Sequence, residues 1–172
     1  MPTKDVNRIR INGGFNFWFK LPSGSWVDFG KIAAGYIFED TDESIGIKLA
    51  GGETTEQAGS KLVKLTIEMA QTDKEAVDYK YTIHNKSGEV YFYDGVANNK
   101  HQEYYITLAK ANVSINKVDG ATPQVIKVEL IVAKQTANVS VADTALPTVH
   151  FAAAGTVTGV NPYYVVIETA VA

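Results

Sequence analysis

The chain has no cysteine among its 172 residues, so neither a disulfide framework nor a thiolate metal site can contribute to its stability or chemistry. Basic charge is missing from one end. All sixteen Lys and Arg residues lie at or before Lys134, and from Gln135 onward the only acidic residues are Asp143 and Glu168. A stretch of Val, Thr, Ala and aromatic residues this poor in charge calls for a cover, because soluble surfaces normally carry charge. It implies a subunit whose surface is completed by neighbouring subunits, and residues 135–172 stand apart as a charge-poor segment or arm. The charge-free run 144–167 is interrupted by Pro147, Gly155, Gly159, Asn161 and Pro162, which excludes a membrane-spanning helix. Near the N-terminus, Gly13, Gly14 and Asn16 break the apolar run that follows Arg8 and Arg10, so the segment does not read as a signal peptide. No membrane insertion is expected, and the expected site of synthesis and assembly is the cytoplasm.

With 45% hydrophobic residues the chain can bury a real core, and one domain spanning residues 1–172 is expected. A net charge of −3 gives no basic stripe with which to wrap nucleic acid. Several segments alternate with the period of two that a half-buried strand requires. Val63, Leu65, Ile67 and Met69 alternate with Lys64, Thr66 and Glu68, and Ile126, Val128, Leu130 and Val132 enclose Lys127 and Glu129. Residues 104–118 read as one long strand whose apolar parity changes between Ile106/Leu108 and Val113/Ile115, which predicts a bulge at 109–111. Shorter strands are expected at 15–19, 25–29 and 90–93, with a turn at Pro22, Ser23 and Gly24. Thr72 and Glu75 form a capping box that opens a helix of about three turns. Its Val77 and Tyr81 are placed on the face that packs on a sheet, and Asn85, Ser87 and Gly88 end it. The fold class is therefore mainly β: an antiparallel sandwich or partial barrel with one flanking helix. Residues 1–14 form an N-terminal arm, and residues 39–60 read as a long polar loop with Gly46, Gly51, Gly52 and Gly59.

Motifs of catalysis or ligand binding are weak. The acids Glu39, Asp40, Asp42 and Glu43 do not make an EF-hand, because a loop opening at Asp40 would put Ile45 where glycine is needed and Gly51 where glutamate is needed. They read as a solvated acidic patch or interface. His84, His101 and His150 lack ligand spacing, no Ser lies in a nucleophile elbow, and no glycine run has the phosphate-cradling pattern. No enzyme activity, metal or cofactor is expected. Nine Tyr and seven Phe could form a binding platform, but the contiguous Tyr91, Phe92 and Tyr93 must point alternately to both faces of a strand, which favours packing.

The order of elements resembles the bacteriophage tail tube proteins and the related tube proteins of contractile injection systems. The resemblance covers residues 10–134. It rests on a hairpin with Trp26-Val27-Asp28-Phe29-Gly30, the long polar segment, the strand at 61–70 running into Thr72-Asp73-Lys74-Glu75, a helix, and a Tyr91 strand followed by two long strands. It implies a structural virion protein of the phage tail. Hexameric rings of such a protein stack into a tube with other tail proteins, and double-stranded DNA passes through during ejection without specific binding. A four-stranded sheet of each subunit lines the channel in such tubes, and the long loop contacts the adjacent ring. Here Lys64, Thr66, Glu68, Asn112, Ser114, Asn116, Lys127 and Glu129 would face the lumen. Glu39, Asp40, Asp42, Glu43, Gly51, Gly52 and Glu53 would lie in the inter-ring loop. The last 38 residues depart from the simplest pattern, which leaves open the repeating tube or a specialised ring at a tail end. A different class, a carbohydrate-binding or adhesin-like module, would use Tyr104, Tyr105, Tyr163 and Tyr164. A hydrolase would rest on scattered acids alone.

Overall fold

The computed structural model of the chain describes residues 16–48, 51, 54–69, 78, 81–116, 125–147, 150–151 and 155–171. Its strands are β1 (Asn16–Lys20), β2 (Val27–Lys48), β3 (Thr54–Met69), β4 (Ser87–Ala97), β5 (Lys100–Asn116), β6 (Val125–Val132), β7 (Ser140–Ala142), β8 (Thr156–Thr158) and β9 (Tyr164–Ala170). Seven of them form one antiparallel sheet in the order β4, β1, β2, β3, β6, β5, β9, with β4 also pairing β5. Strands β7 and β8 make a separate two-stranded sheet. The protein is mainly β, as the alternation predicts. In β3, Val63, Leu65 and Ile67 are buried while Lys64 and Thr66 are half-buried and Glu68 is exposed.

Strand β5 serves two layers. Its first part lies between β4 and β9, with Tyr104 paired to both Phe92 and Val166, whereas its second part pairs β6 from Ala109↔Val132 to Asn116↔Val125. Between the pairs Ile106↔Val90 and Ala109↔Gly88, β5 carries one residue more than β4. The bulge thus falls at Thr107 and Leu108, just before the predicted 109–111. It brings even-numbered Ile106 and odd-numbered Ala109, Ala111 and Val113 into the same core.

That core also takes Phe17 and Phe19 of β1, Leu65 and Ile67 of β3, Val90 and Phe92 of β4, and Val128 and Leu130 of β6. Phe92 stacks on Tyr104 with ring centroids 4.8 Å apart and 4° between planes. Fully burying each such side chain contributes about 1.5–3 kcal/mol. The turns follow local chemistry. Gly24 N–H donates to Leu21 O at 2.9 Å across Pro22 and Ser23, as expected. Asn98 and Asn99, both at positive φ (54° and 56°), form the two-residue turn between β4 and β5.

Two expectations are corrected. Residues 39–48 and 54–60 are strand, not loop: β2 runs to Lys48, β3 begins at Thr54, and their partners extend from Asp42↔Lys61 to Lys48↔Thr54. Beyond Asp42 and Lys61 the described residues of these strands pair only with each other, making a two-stranded ribbon. The segment reads as loop because of its glycines and its polar run from Thr54 to Ser60, although Ile45 and Ile47 alternate with Gly46 and Lys48. Glu39, Asp40, Asp42 and Glu43 are strand residues of β2, Gly51 is at the turn, and Gly52 and Glu53 lie outside the described residues. Second, Asp78 and Tyr81 to Ile83 are helical, but Tyr81 is 74% exposed and Ile83 is the residue that packs in the core. The capping box and Val77 lie outside the described residues. Asn85, at φ 62°, ends the helix as expected, and its N–H donates to Ala111 O.

Part of the charge-poor C-terminal segment is covered within the chain. β9 pairs β5, and Val139, Val141, Leu146, Val165 and Ile167 form a second core with Tyr91 and Tyr105 on the outer face of β4 and β5. Trp18, Trp26 and Val157 pack against it. Tyr91 and Phe92 therefore point into different cores, as their adjacency requires.

Gly88 marks the tightest crossing. A Cβ there would stand 2.3 Å from Lys20 O and 2.8 Å from the Phe19 ring. Gly88→Ala is expected to destabilise the fold by at least about 2 kcal/mol, read as a lower urea midpoint at unchanged slope. An unchanged midpoint would show that β1 and β4 separate freely at this point.

Candidate functional site

Directly paired residues of antiparallel strands project to the same face. The register of β2, β3, β6 and β5 therefore builds rows across four strands on the face opposite the main core. One row is Glu39, Lys64, Ile131 and Lys110, and the next is Ile37, Thr66, Glu129 and Asn112. A third is Glu68, Lys127 and Ser114. Seven of the eight residues expected at a lumen thus share one face. Asn116 pairs Val125 through the backbone at the end of β5, and its side chain lies outside the described residues. Thr66, Lys127 and Glu129 are half-buried, and Glu68, Asn112 and Ser114 are exposed.

The charges on this face cancel locally. Glu129 lies 3.0 Å from Lys127 Nζ and 3.7 Å from Lys64 Nζ. The hydrogen bond from Lys127 holds its carboxyl below the ordinary 4.5, opposed by burial and aided by the positive charge of both lysines. Lys64, Lys110 and Lys127 balance Glu39, Glu68 and Glu129 three against three. Apolar side chains are interspersed, with Ile37 61%, Ile131 43% and Leu62 39% exposed. Such a surface is wetted by its amides, hydroxyls and ion pairs while offering no net charge to a polyanion.

Glu39 and Asp40 of the acidic cluster do not converge. Glu39 belongs to the polar face, whereas Asp40, one residue on, turns to the other side and accepts a hydrogen bond from Tyr164 OH at 2.9 Å. Burial, then this bond, pushes the Tyr164 hydroxyl up to about 12. Among the described residues no group of three or more His, Asp or Glu could hold a metal ion. The four tyrosines divide between the cores: Tyr105 belongs to the second, Tyr163 to the first, and Tyr104 and Tyr164, with ring centroids 6.0 Å apart, pack against the first.

One ionic cluster was missed in sequence. Glu103, fully buried, accepts from Tyr91 OH and from Phe151 N–H at 3.2 Å. His150 Nδ1 stands 3.4 Å from the same carboxylate, and its Nε2 stands 3.3 Å from Asp143. Burial pushes the Glu103 carboxyl up, opposed by these donors and by His150. Glu103 was legible only through its shared parity with Tyr105 on β5. Asp143 and His150 were visible as rare ionisable residues in a charge-poor stretch.

No protein-family model matches this chain, and no curated protein matches it.

Glu129→Gln is expected to cost less than about 1 kcal/mol near neutral pH, since its partners are partly solvated. A carboxyl lowered by folding contributes stability fully above its ordinary 4.5 and loses it as pH falls through the lowered value. The gap between wild type and variant in urea titrations should therefore close in acid. A gap that persists in acid would place its origin outside the carboxylate's charge.

Proposed function

We propose that the protein is a structural assembly subunit whose β2–β3–β6–β5 face lines the channel of a phage tail tube. The observation that carries the reading is the charge-balanced polar face spanning four strands directly behind the main core. Lining a conduit for a polyanion requires a wall that is wet but does not hold its cargo, and local cancellation meets that requirement. In this reading hexameric rings stack, the β2–β3 ribbon contacts the adjacent ring, and the protein has no catalytic role. The ribbon supports it, because an arm of two paired strands standing beyond the sheet presents outer strand edges that a neighbour can pair.

Light scattering and negative-stain imaging of the purified protein should reveal rings or tubes. A strict monomer at high concentration would overturn the reading. Replacing residues 43–60 by a two-residue Asn-Gly turn should preserve folding, since that segment pairs only with itself among the described residues, yet prevent stacking. Tubes formed by this variant would assign the ribbon another role. Glu68→Lys combined with Glu129→Lys should keep the fold and add basic charge beside Lys64 and Lys127. Double-stranded DNA would then be retained at low salt by assembled variant but not by assembled wild type, and equal retention would argue against a channel-lining face.

A further inference from the structure

We propose that the edge of β2 around Ile37 to Thr41 is a docking edge for the chain's own N-terminal arm, whose residues 6–11 pair with it as a further antiparallel strand. The inference stands on the register and charge of this edge and does not rest on the channel reading. Among the described residues, β3 accompanies one edge of β2 as far as Lys48, whereas β1 pairs the other edge only as far as Lys31. The remainder of that second edge is a template for another strand. Strand β1 opens with Asn16 opposite Lys31, so the chain that precedes it meets β2 at the foot of this edge.

Charge fits the arm to the edge. From Ile32 to Ile47, β2 carries Glu39, Asp40, Asp42 and Glu43 and no basic residue, while residues 1–15 carry Lys4, Arg8 and Arg10 against the single acid Asp5. Glu39 is exposed and makes no ion pair with another described residue. Register then decides which side of the arm meets which side of β2. Between the pairs Trp18↔Asp28 and Asn16↔Lys31, β2 carries one residue more than β1. Continued from Asn16↔Lys31, even-numbered arm residues stand opposite odd-numbered residues of β2 and share their face. Arg8 is then opposite Glu39 and Arg10 opposite Ile37 on the polar face, while Ile9 is opposite Phe38 on the core side. Without the extra residue in β2, both arginines would turn toward the core.

A second irregularity leaves these faces intact. Between Ile32 and Tyr36, β2 carries two residues more than β3, and Gly13 and Gly14 of the arm fall opposite this stretch. An arm that skips both residues keeps its parity and sets Arg10 opposite Glu39 and Ile11 opposite Phe38. In either register an arginine meets the acid and an isoleucine meets Phe38. Phe38 is half-buried at the margin of the main core, with its ring 4.8 Å from that of Tyr164 and 5.5 Å from that of Tyr104. On the polar side the arginine stems lie beside Ile37, which is 61% exposed.

Because the chain has no cysteine, the pairing can be trapped in the full-length protein by engineered disulfides. Glu39→Cys combined with Arg8→Cys, or with Arg10→Cys, should form an intrachain disulfide in at least one of the two variants when the folded protein is mildly oxidised, as identified by peptide mass spectrometry. Glu39→Cys with Ile9→Cys should form none, because those side chains lie on opposite faces. Disulfides between chains, equal trapping of the Ile9 variant, or no trapping in any variant overturns the proposal. Arg8→Glu with Arg10→Glu should also speed exchange of the 37–41 amides that do not bond β3 by about threefold to tenfold, the weight of reversed exposed charge pairs. Exchange in β6 should stay constant, and adding Glu39→Lys should restore protection. Unchanged exchange at 37–41 in the folded charge-reversed protein overturns the proposal, and if that variant fails to fold, the disulfide result decides.

Discussion

The rest of the structure depends on the extra residue that β5 carries at Thr107 and Leu108. A strand alternates its side chains with a period of two, so a regular β5 would send Ile106 and Ala109 to opposite faces. With the bulge both are fully buried in one core. The strand can then pair β4 and β9 over its first part and β6 over its second without changing which side is apolar. Both the polar face behind β6 and the second core outside β4 follow from that single change of parity.

The two buried cores divide the molecule's polar chemistry. On the β2–β3–β6–β5 face, charged side chains remain in water, and Glu129 interacts with Lys127 and Lys64 at distances where solvent weakens the attraction. Around Glu103, water is excluded and the same kinds of groups must satisfy one another within the protein. The first arrangement tolerates substitution and presents a surface. The second fixes the position of a chain segment and is sensitive to the loss of one partner.

The charge-poor C-terminal segment suggested that other subunits complete the surface, and the fold supplies another cover. Val165 and Ile167 are buried in the second core, while Val160 stays 92% exposed and Val166 36% exposed. Scarcity of charge in a segment reports that something lies against it. It does not distinguish a neighbouring subunit from the segment's own sheet, because apolar burial is not directional.

Local alternation determined the strands β3 and β6, their polar and apolar faces, the change of parity in β5, the turn at Pro22 to Gly24 and the helix stop at Asn85. These are properties of a few consecutive residues and their preferred geometry, and they are read without knowing the partner strand. The tertiary structure alone decided which strands adjoin, and so which polar residues share a row: Lys64 and Glu129 are far apart in sequence and meet only through the β3–β6 register. It also decided that β2 and β3 continue as a paired ribbon beyond Asp42 and Lys61 and that Asp143, His150 and Glu103 converge. The ribbon's glycines and its polar run from Thr54 to Ser60 obscure the short alternation at Ile45 and Ile47, and a cluster assembled from β5 and a segment some forty residues further on has no local spacing to betray it. Hydrogen-bond register and burial, both long-range, placed them together.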